Sequence, residues 1–196
     1  MRKQVFVIGG GEVWNTYEEY MEYLKKYDLT QEKFDKMMSK RWKDHLQRDL
    51  GKGFLIIKPD MPNMRNAKYV EWKIWFEKIL PYFSREVIFI GHSLGANFIA
   101  KYFAEHHVSF MIGQIHLVAG CFGTDGGFDL PESLDMITQQ CDTVFIYHST
   151  DDPVVPYDDA LKYKEALPQA NLVTCIGQGH FLSGKFPEII GNIKKY

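Results

Sequence analysis

Six short apolar runs punctuate the chain, at Gln4–Ile8, Phe54–Lys58, Val87–Ile90, Ile115–Ala119, Val144–His148 and Leu172–Ile176. Each is rich in Val, Ile and Phe and is bounded by Gly, Pro or polar residues, the pattern of strands buried on both faces of a parallel sheet. Longer stretches with helical spacing lie between them, at Tyr17–Tyr27, Gln31–Leu50, Ala67–Phe83, Leu94–His106, Pro131–Gln140, Pro156–Leu167 and Phe186–Lys195. Pro131 and Pro156 stand where a first helical turn would start, and Asp158 and Asp159 put negative charge near one such start. Alternation of this kind implies right-handed βαβ crossovers and a doubly wound, mostly parallel sheet of about six strands with helices on both faces. The segment from Glu12 to Gly51 holds one helix more than a crossover needs, so part of it is expected over the site or along one face.

Composition narrows the class without changing that picture. The 196 residues suit one domain spanning residues 1–196, with 45% hydrophobic and 15% aromatic residues against 24% charged. A formal charge of −2, with scattered lysines and arginines, gives no reason to expect nucleic acid or a membrane surface as partner. Cys121, Cys141 and Cys175 form neither a disulfide framework nor a zinc pattern, and are expected as reduced, partly buried thiols. The apolar run after Met1-Arg2-Lys3 is too short for a signal-peptide core, and no later run reaches transmembrane length. The expected location is cytoplasmic.

The chemistry begins at Gly91-His92-Ser93-Leu94-Gly95. The pattern alone is weak, but it follows the strand Val87–Ile90 and opens the helical run after it, which is the setting a nucleophile elbow requires. The flanking glycines answer a steric need, since a strained turn packs the strand against the helix beside it. A serine there also sits at a helix N-terminus, where free N–H groups favour developing negative charge.

A nucleophilic serine needs a base, and the base needs an orienting acid, in the chain order Ser, Asp or Glu, His. Asp151-Asp152-Pro153 follows the strand Val144–His148, and His180 follows Leu172–Ile176 after Gly177-Gln178-Gly179. Both aspartates compete for the acid. Asp152 is favoured, because Pro153 holds it extended, while Asp151 suits a turn-stabilising role. The oxyanion hole is expected from the N–H of Leu94 and of Gly10 or Gly11, in the Gly9-Gly10-Gly11 loop after the first strand. A dinucleotide turn there is disfavoured, because Trp14 stands where the third glycine of Gly-x-Gly-x-x-Gly belongs. Trp14, Met61, Phe122 and Phe128 lie on loops expected at the same sheet edge and suggest an apolar acyl pocket. The glycine-rich loop Cys121–Leu130 is expected over that edge as well. His106 and His107 read as surface residues, and Trp72, Trp75 and Phe76 as one packed helix face with Lys73 and Glu77 on the solvated one.

With Ser93, Asp152 and His180 in view, the chain resembles the small serine hydrolases of the retinoblastoma-binding protein 9 / YdeN-like family. The resemblance spans nearly the whole chain in length and element order. It is sharpest at Gly91–Gly95, at Ser149-Thr150-Asp151-Asp152-Pro153-Val154-Val155-Pro156 and at Gly179-His180-Phe181. It implies a compact three-layer α/β-hydrolase fold without a large cap domain, and it carries the aspartate before the proline over to Asp152. One departure is Ile8-Gly9 where many such hydrolases carry His-Gly.

The function expected is hydrolysis of a small-molecule ester or amide through a Ser-His-Asp triad and an acyl-enzyme, with no cofactor and no metal. The rival readings are a binding module that keeps the fold, and an acyltransferase using the same residues.

Overall fold

The apolar runs become six strands, β1 (Lys3–Ile8), β2 (Phe54–Ile57), β3 (Glu86–His92), β4 (Met111–Val118), β5 (Val144–Ser149) and β6 (Asn171–Cys175). The computed structural model describes residues 2–123 and 126–196; Met1, and Thr124 and Asp125 of the Cys121–Leu130 loop, lie outside the described residues. All neighbouring strands pair in parallel, in the order β2-β1-β3-β4-β5-β6. The chain therefore starts inside the sheet, steps out to β2, returns past β1 to β3 and continues to β6. That reversal makes the carboxyl ends of β1 and β3 the topological switch point, where open α/β sheets place their ligands. The sheet and its helical layers match the expected α/β-hydrolase architecture, with no large cap domain among the described residues.

Both faces of the sheet are covered, which is why the strands read as nearly continuous apolar runs. In β1, Phe6 and Ile8 enter one core and Val5 and Val7 the other. The first core is closed by α4 (Tyr69–Ile79), α5 (Leu94–Glu105), α6 (Asp135–Gln140) and α7 (Tyr157–Ala166), through Trp72, Phe76, Phe98, Ile137 and Tyr163. The second is closed by α3 (Trp42–Leu50) and α8 (Pro187–Lys194), through Trp42, Leu46, Leu50, Ile189 and Ile193.

Several helical boundaries, and the burial of one aromatic residue, differ from expectation. The run Gln31–Leu50 is broken into α2 (Gln31–Met38) and α3, because the chain turns extended at Ser39 and Arg41. The Asp44 side chain then caps α3 by accepting from Arg41 N at 2.9 Å. Helix α6 begins at Asp135 rather than Pro131, and Pro156 is the N-cap of α7 rather than its first helical residue. Trp75 is 42% exposed, because Trp72 and Phe76 alone fill the inner face of α4. Helix α1 (Tyr17–Lys26) and α2 bury no residue at all, so the surplus helical sequence adds to the surface while α3 joins the core. Among the described residues no helix is long and apolar enough to cross a membrane.

Candidate active site

Ser93 stands between β3 and α5 with φ 56° and ψ −127°, a region side-chain-bearing residues rarely occupy. Its N–H donates to Val118 O of β4 at 2.8 Å, and its carbonyl accepts from Ala96 N at 2.8 Å, so sheet and helix together hold the strain. The two motif glycines are required by close approach. A Cβ on Gly91 would lie 2.6 Å from Ala96 Cα, and one on Gly95 would lie 2.5 Å from Gly9 O and 2.6 Å from Ile8 O. Gly95→Ala should therefore cost about 3 kcal/mol or more, since the clash is with backbone at the carboxyl end of β1. Gly191→Ala, in α8 where nothing stands within 4 Å, should instead stabilise by about 0.5–1 kcal/mol. Urea unfolding midpoints of the two variants check both signs.

The base and the acid meet across two loops. His180 Nδ1 lies 2.8 Å from Asp152 Oδ2, and the carboxyl group of Asp152 is wholly buried. Asp152 Oδ1 accepts from Val154 N at 2.8 Å and Val155 N at 3.0 Å, so each oxygen has a donor and the carboxylate is fixed in direction. His148 Nε2 approaches Asp152 Oδ2 at 3.8 Å but donates to Val155 O at 3.0 Å, outside hydrogen-bond reach of the carboxylate.

Asp151 does something else. Its Oδ1 accepts from Gly177 N at 2.9 Å, Gly179 N at 3.4 Å and the Ser149 hydroxyl, tying the loop that carries His180 to the end of β5. These donors hold its carboxyl below the usual range, the Ser149 hydroxyl most of all. Gly177 and Gly179 both have positive φ, as this hairpin-tight loop demands.

Ser93 and His180 share one cavity of about 480 Å³ with Gly9, Gly10, Gly11 and His92. Among the described residues no hydrogen bond joins Ser93 Oγ to the His180 ring. Gly10 faces the serine: a Cβ there would lie 3.1 Å from Ser93 Cβ and 3.4 Å from Oγ. Gly11 faces away, toward Leu94, Trp72 and Met64 O. Leu94 opens α5, so its N–H has no partner within the helix.

The apolar pocket expected from Trp14, Met61, Phe122 and Phe128 is not what lines this cavity. Phe128 is fully buried edge-on against Trp72 and Tyr69, and Met61 is buried in the same core. Phe122 packs on Tyr163, and Trp14 lies tilted against Tyr23 while its indole N–H donates to Arg65 O at 3.1 Å. The wall is charged instead, supplied by Glu12, Arg41, Lys43 and Arg65 with Met64, Val154 and Leu182.

Arg41 and Lys43 flank the start of α3, which Trp42 pins to the loop after His180 through Trp42 Nε1 to Phe181 O and Trp42 N to Ser183 O, each 2.9 Å. Lys43 Nζ donates to His92 Nδ1 at 2.9 Å, and His92 Nε2 donates to His180 O at 2.9 Å. His92 is neutral: burial first, then Lys43, pushes its pKa well below the usual histidine value. None of these contacts joins residues close in sequence, the Lys43–His92 pair being 49 apart and Trp42 Nε1 and Phe181 O 139 apart, so none leaves a local trace in the sequence. The only pointer to them was the surplus helix before β2.

Cys121 is unsuited to nucleophilic work, since burial, with Asp159 next in effect, pushes its thiol up to about 11. Burial likewise raises Cys141 and Cys175 to about 11, and all three are free thiols. Half-buried His106 bonds back to Tyr102 O at 3.1 Å and stacks on the Tyr102 ring. Among the described residues, no group of three or more His, Cys, Asp or Glu side chains is arranged to hold a metal.

A strained serine on a strand-to-helix elbow, on a parallel sheet with this order, defines the α/β-hydrolase fold. Solved structures carry the same fold. The ydeN gene product of B. subtilis superposes with a TM-score of 0.71 at 20% identity, covering 99% of this chain and 98% of that one. Est1E from Butyrivibrio proteoclasticus gives 0.59 at 14% identity, covering 99% and 86%.

The sequence profile of a family described as serine hydrolase matches residues 33–186, and the chain belongs to that family of hydrolases. Serine hydrolase RBBP9 of Rattus norvegicus is 28% identical over 147 residues, 72% of this chain and 77% of that protein. The resemblance to the retinoblastoma-binding protein 9 / YdeN-like family thus rests on both sequence and fold.

Proposed function

We propose that this hydrolase is carboxylesterase-like, with Ser93 as nucleophile, His180 as general base and Asp152 as the acid that orients it. The observation that carries this reading is the strained Ser93 turn sharing a cavity with a histidine whose Nδ1 is 2.8 Å from a buried carboxylate. Asp152 accepts from His180 Nδ1–H, which leaves Nε2 free of its proton to take one from Ser93. Ser93 Oγ attacks the carbonyl of an ester or amide, and the Leu94 and Gly10 N–H groups receive the oxyanion. Gly10 is preferred to Gly11 because Gly10 lies against the serine. His180 then protonates the leaving group, and water, deprotonated by the same ring, releases the acyl group.

A fluorophosphonate, which phosphonylates activated serines, is expected to label Ser93 in the folded protein and to leave Ser93→Ala unlabelled when the modified peptide is mapped by mass spectrometry. Folded wild-type protein that resists labelling would overturn the nucleophile assignment.

A further inference from the structure

The wall beside Ser93 carries three cations against one carboxylate, although the whole chain has a net charge of −2. Glu12 and Arg65 neutralise each other through Arg65 Nη1 to Glu12 Oε1 at 2.6 Å. Glu12 Oε2 is buried with no donor, so that pair has acceptor capacity to spare and presents no free positive charge. Arg41 and Lys43 have no such partner: among the described residues neither makes an ion pair. Lys43 spends one N–H on His92 and keeps two.

Its position is fixed from three sides, by the start of α3, by His92 and by the glycine loop, where a Cβ on Gly9 would lie 3.7 Å from Lys43 Nζ. The next residue, Gly10, is the one whose Cβ would touch Ser93 Oγ at 3.4 Å. Adjacent Cα atoms are about 3.8 Å apart, so the ammonium stands one residue along the loop from the reacting serine. A partly buried cation with unused donors is a costly arrangement unless an anion completes it.

We propose that Lys43, assisted by Arg41, is a specificity-determining anion subsite. It would select substrates that carry a carboxylate or phosphate a few atoms from the scissile carbonyl. This rests on the reading of Ser93 as nucleophile, but its test separates the two. Charge at the subsite is conditional on pH. Burial, then Arg41 and Lys58, pull the Lys43 ammonium down to about 8, with Asp44 opposing them and neutral His92 facing it. The group is cationic below that value and neutral above it, so preference for anionic substrates should be present at pH 7 and fade as pH rises through about 8.

The test compares aryl hemisuccinate with its neutral methyl succinate counterpart, which places the charge on the acyl side. It then compares acetyl esters of a phenol with and without a carboxylate, which places the charge on the leaving side. One side should show kcat/KM at least about tenfold higher for the charged ester, a single charge-assisted hydrogen bond sufficing for that ratio. Lys43→Met should bring the ratio to about one and Lys43→Arg should restore most of it, while Arg41→Gln lowers it in part. The ratio is read within each variant, so a general loss of activity does not imitate the effect. Binding of free succinate to Ser93→Ala, followed by calorimetry, supplies a readout without turnover and should weaken at least about tenfold when Lys43→Met is added. Equal ratios in wild type and Lys43→Met, with equal succinate affinity, would overturn the subsite even if Ser93 is the nucleophile. Succinate binding that depends on Lys43, with no Ser93-dependent turnover of any ester, would keep the subsite and remove the esterase reading.

Discussion

Ser93→Ala should lower kcat/KM for an activated aryl ester by about three to six orders of magnitude while leaving the protein folded. The size of the loss follows from what the hydroxyl does: without Oγ no acyl-enzyme forms, and only binding and oxyanion stabilisation of a direct water attack remain. The fold should survive because the side chain of Ser93 carries none of the site's structural hydrogen bonds. The contacts to Val118 O and Ala96 N are made by its backbone, and alanine keeps both. Alanine at φ 56° is no better and little worse than serine there, so the urea midpoint should move by no more than about 0.5 kcal/mol equivalent. Progress curves with p-nitrophenyl acetate, beside urea unfolding of the same preparations, check both halves. A variant that keeps most of its esterase activity would show that another group is the nucleophile.

What the sequence disclosed about this site depended on whether the signal was local. The elbow was legible because one pentapeptide holds the strand end, the two close-approach glycines and the helix start, and each of those needs is steric. The strand frame was legible because burial on both faces removes polar alternation, leaving runs such as Val87–Ile90 inside β3. Asp152 and His180 could be nominated because βαβ topology delivers the ends of β5 and β6 to the same edge as β3.

The cavity wall was not legible. Aromatic residues on nearby loops suggested an apolar pocket, but in the structure Phe128 and Met61 are drawn into the core beneath Trp72, because burying that apolar area outweighs lining a wet cavity. The charged wall is assembled by long-range pairings, Lys43 with His92 and Trp42 with Phe181, that no window of sequence contains. The break between α2 and α3 was hidden for a similar reason. Lys40 and Arg41 are compatible with a helix, and the end of it is set by the docking of Trp42 against the loop after His180.

The two neighbouring aspartates offer the sharpest internal contrast, since Asp152→Asn should lower kcat by about three to four orders of magnitude and Asp151→Asn by less than about tenfold. In Asp152→Asn, Oδ1 can go on accepting from Val154 N and Val155 N, so the loop should hold its shape. The amide nitrogen then falls where Oδ2 faced His180 Nδ1 at 2.8 Å, and it can only donate. The ring must present an unprotonated Nδ1 to it and carry its proton on Nε2, the tautomer that cannot accept from Ser93. The stabilisation of the imidazolium by a carboxylate is lost as well. Asp151→Asn keeps an acceptor for Gly177 N, Gly179 N and the Ser149 hydroxyl, and the group is exposed, so removal of its charge is screened by solvent. Asp151→Ala, by contrast, should leave those N–H groups without their acceptor and loosen the His180 loop, raising its amide exchange without touching the His180–Asp152 pair directly. Steady-state kcat for the two asparagine variants, with the rate of fluorophosphonate labelling of Ser93 as a second readout, decides the assignment. Should Asp151→Asn prove the crippled variant and Asp152→Asn the active one, the orienting carboxylate would be the exposed residue, and the 2.8 Å contact would have to be broken in the working enzyme.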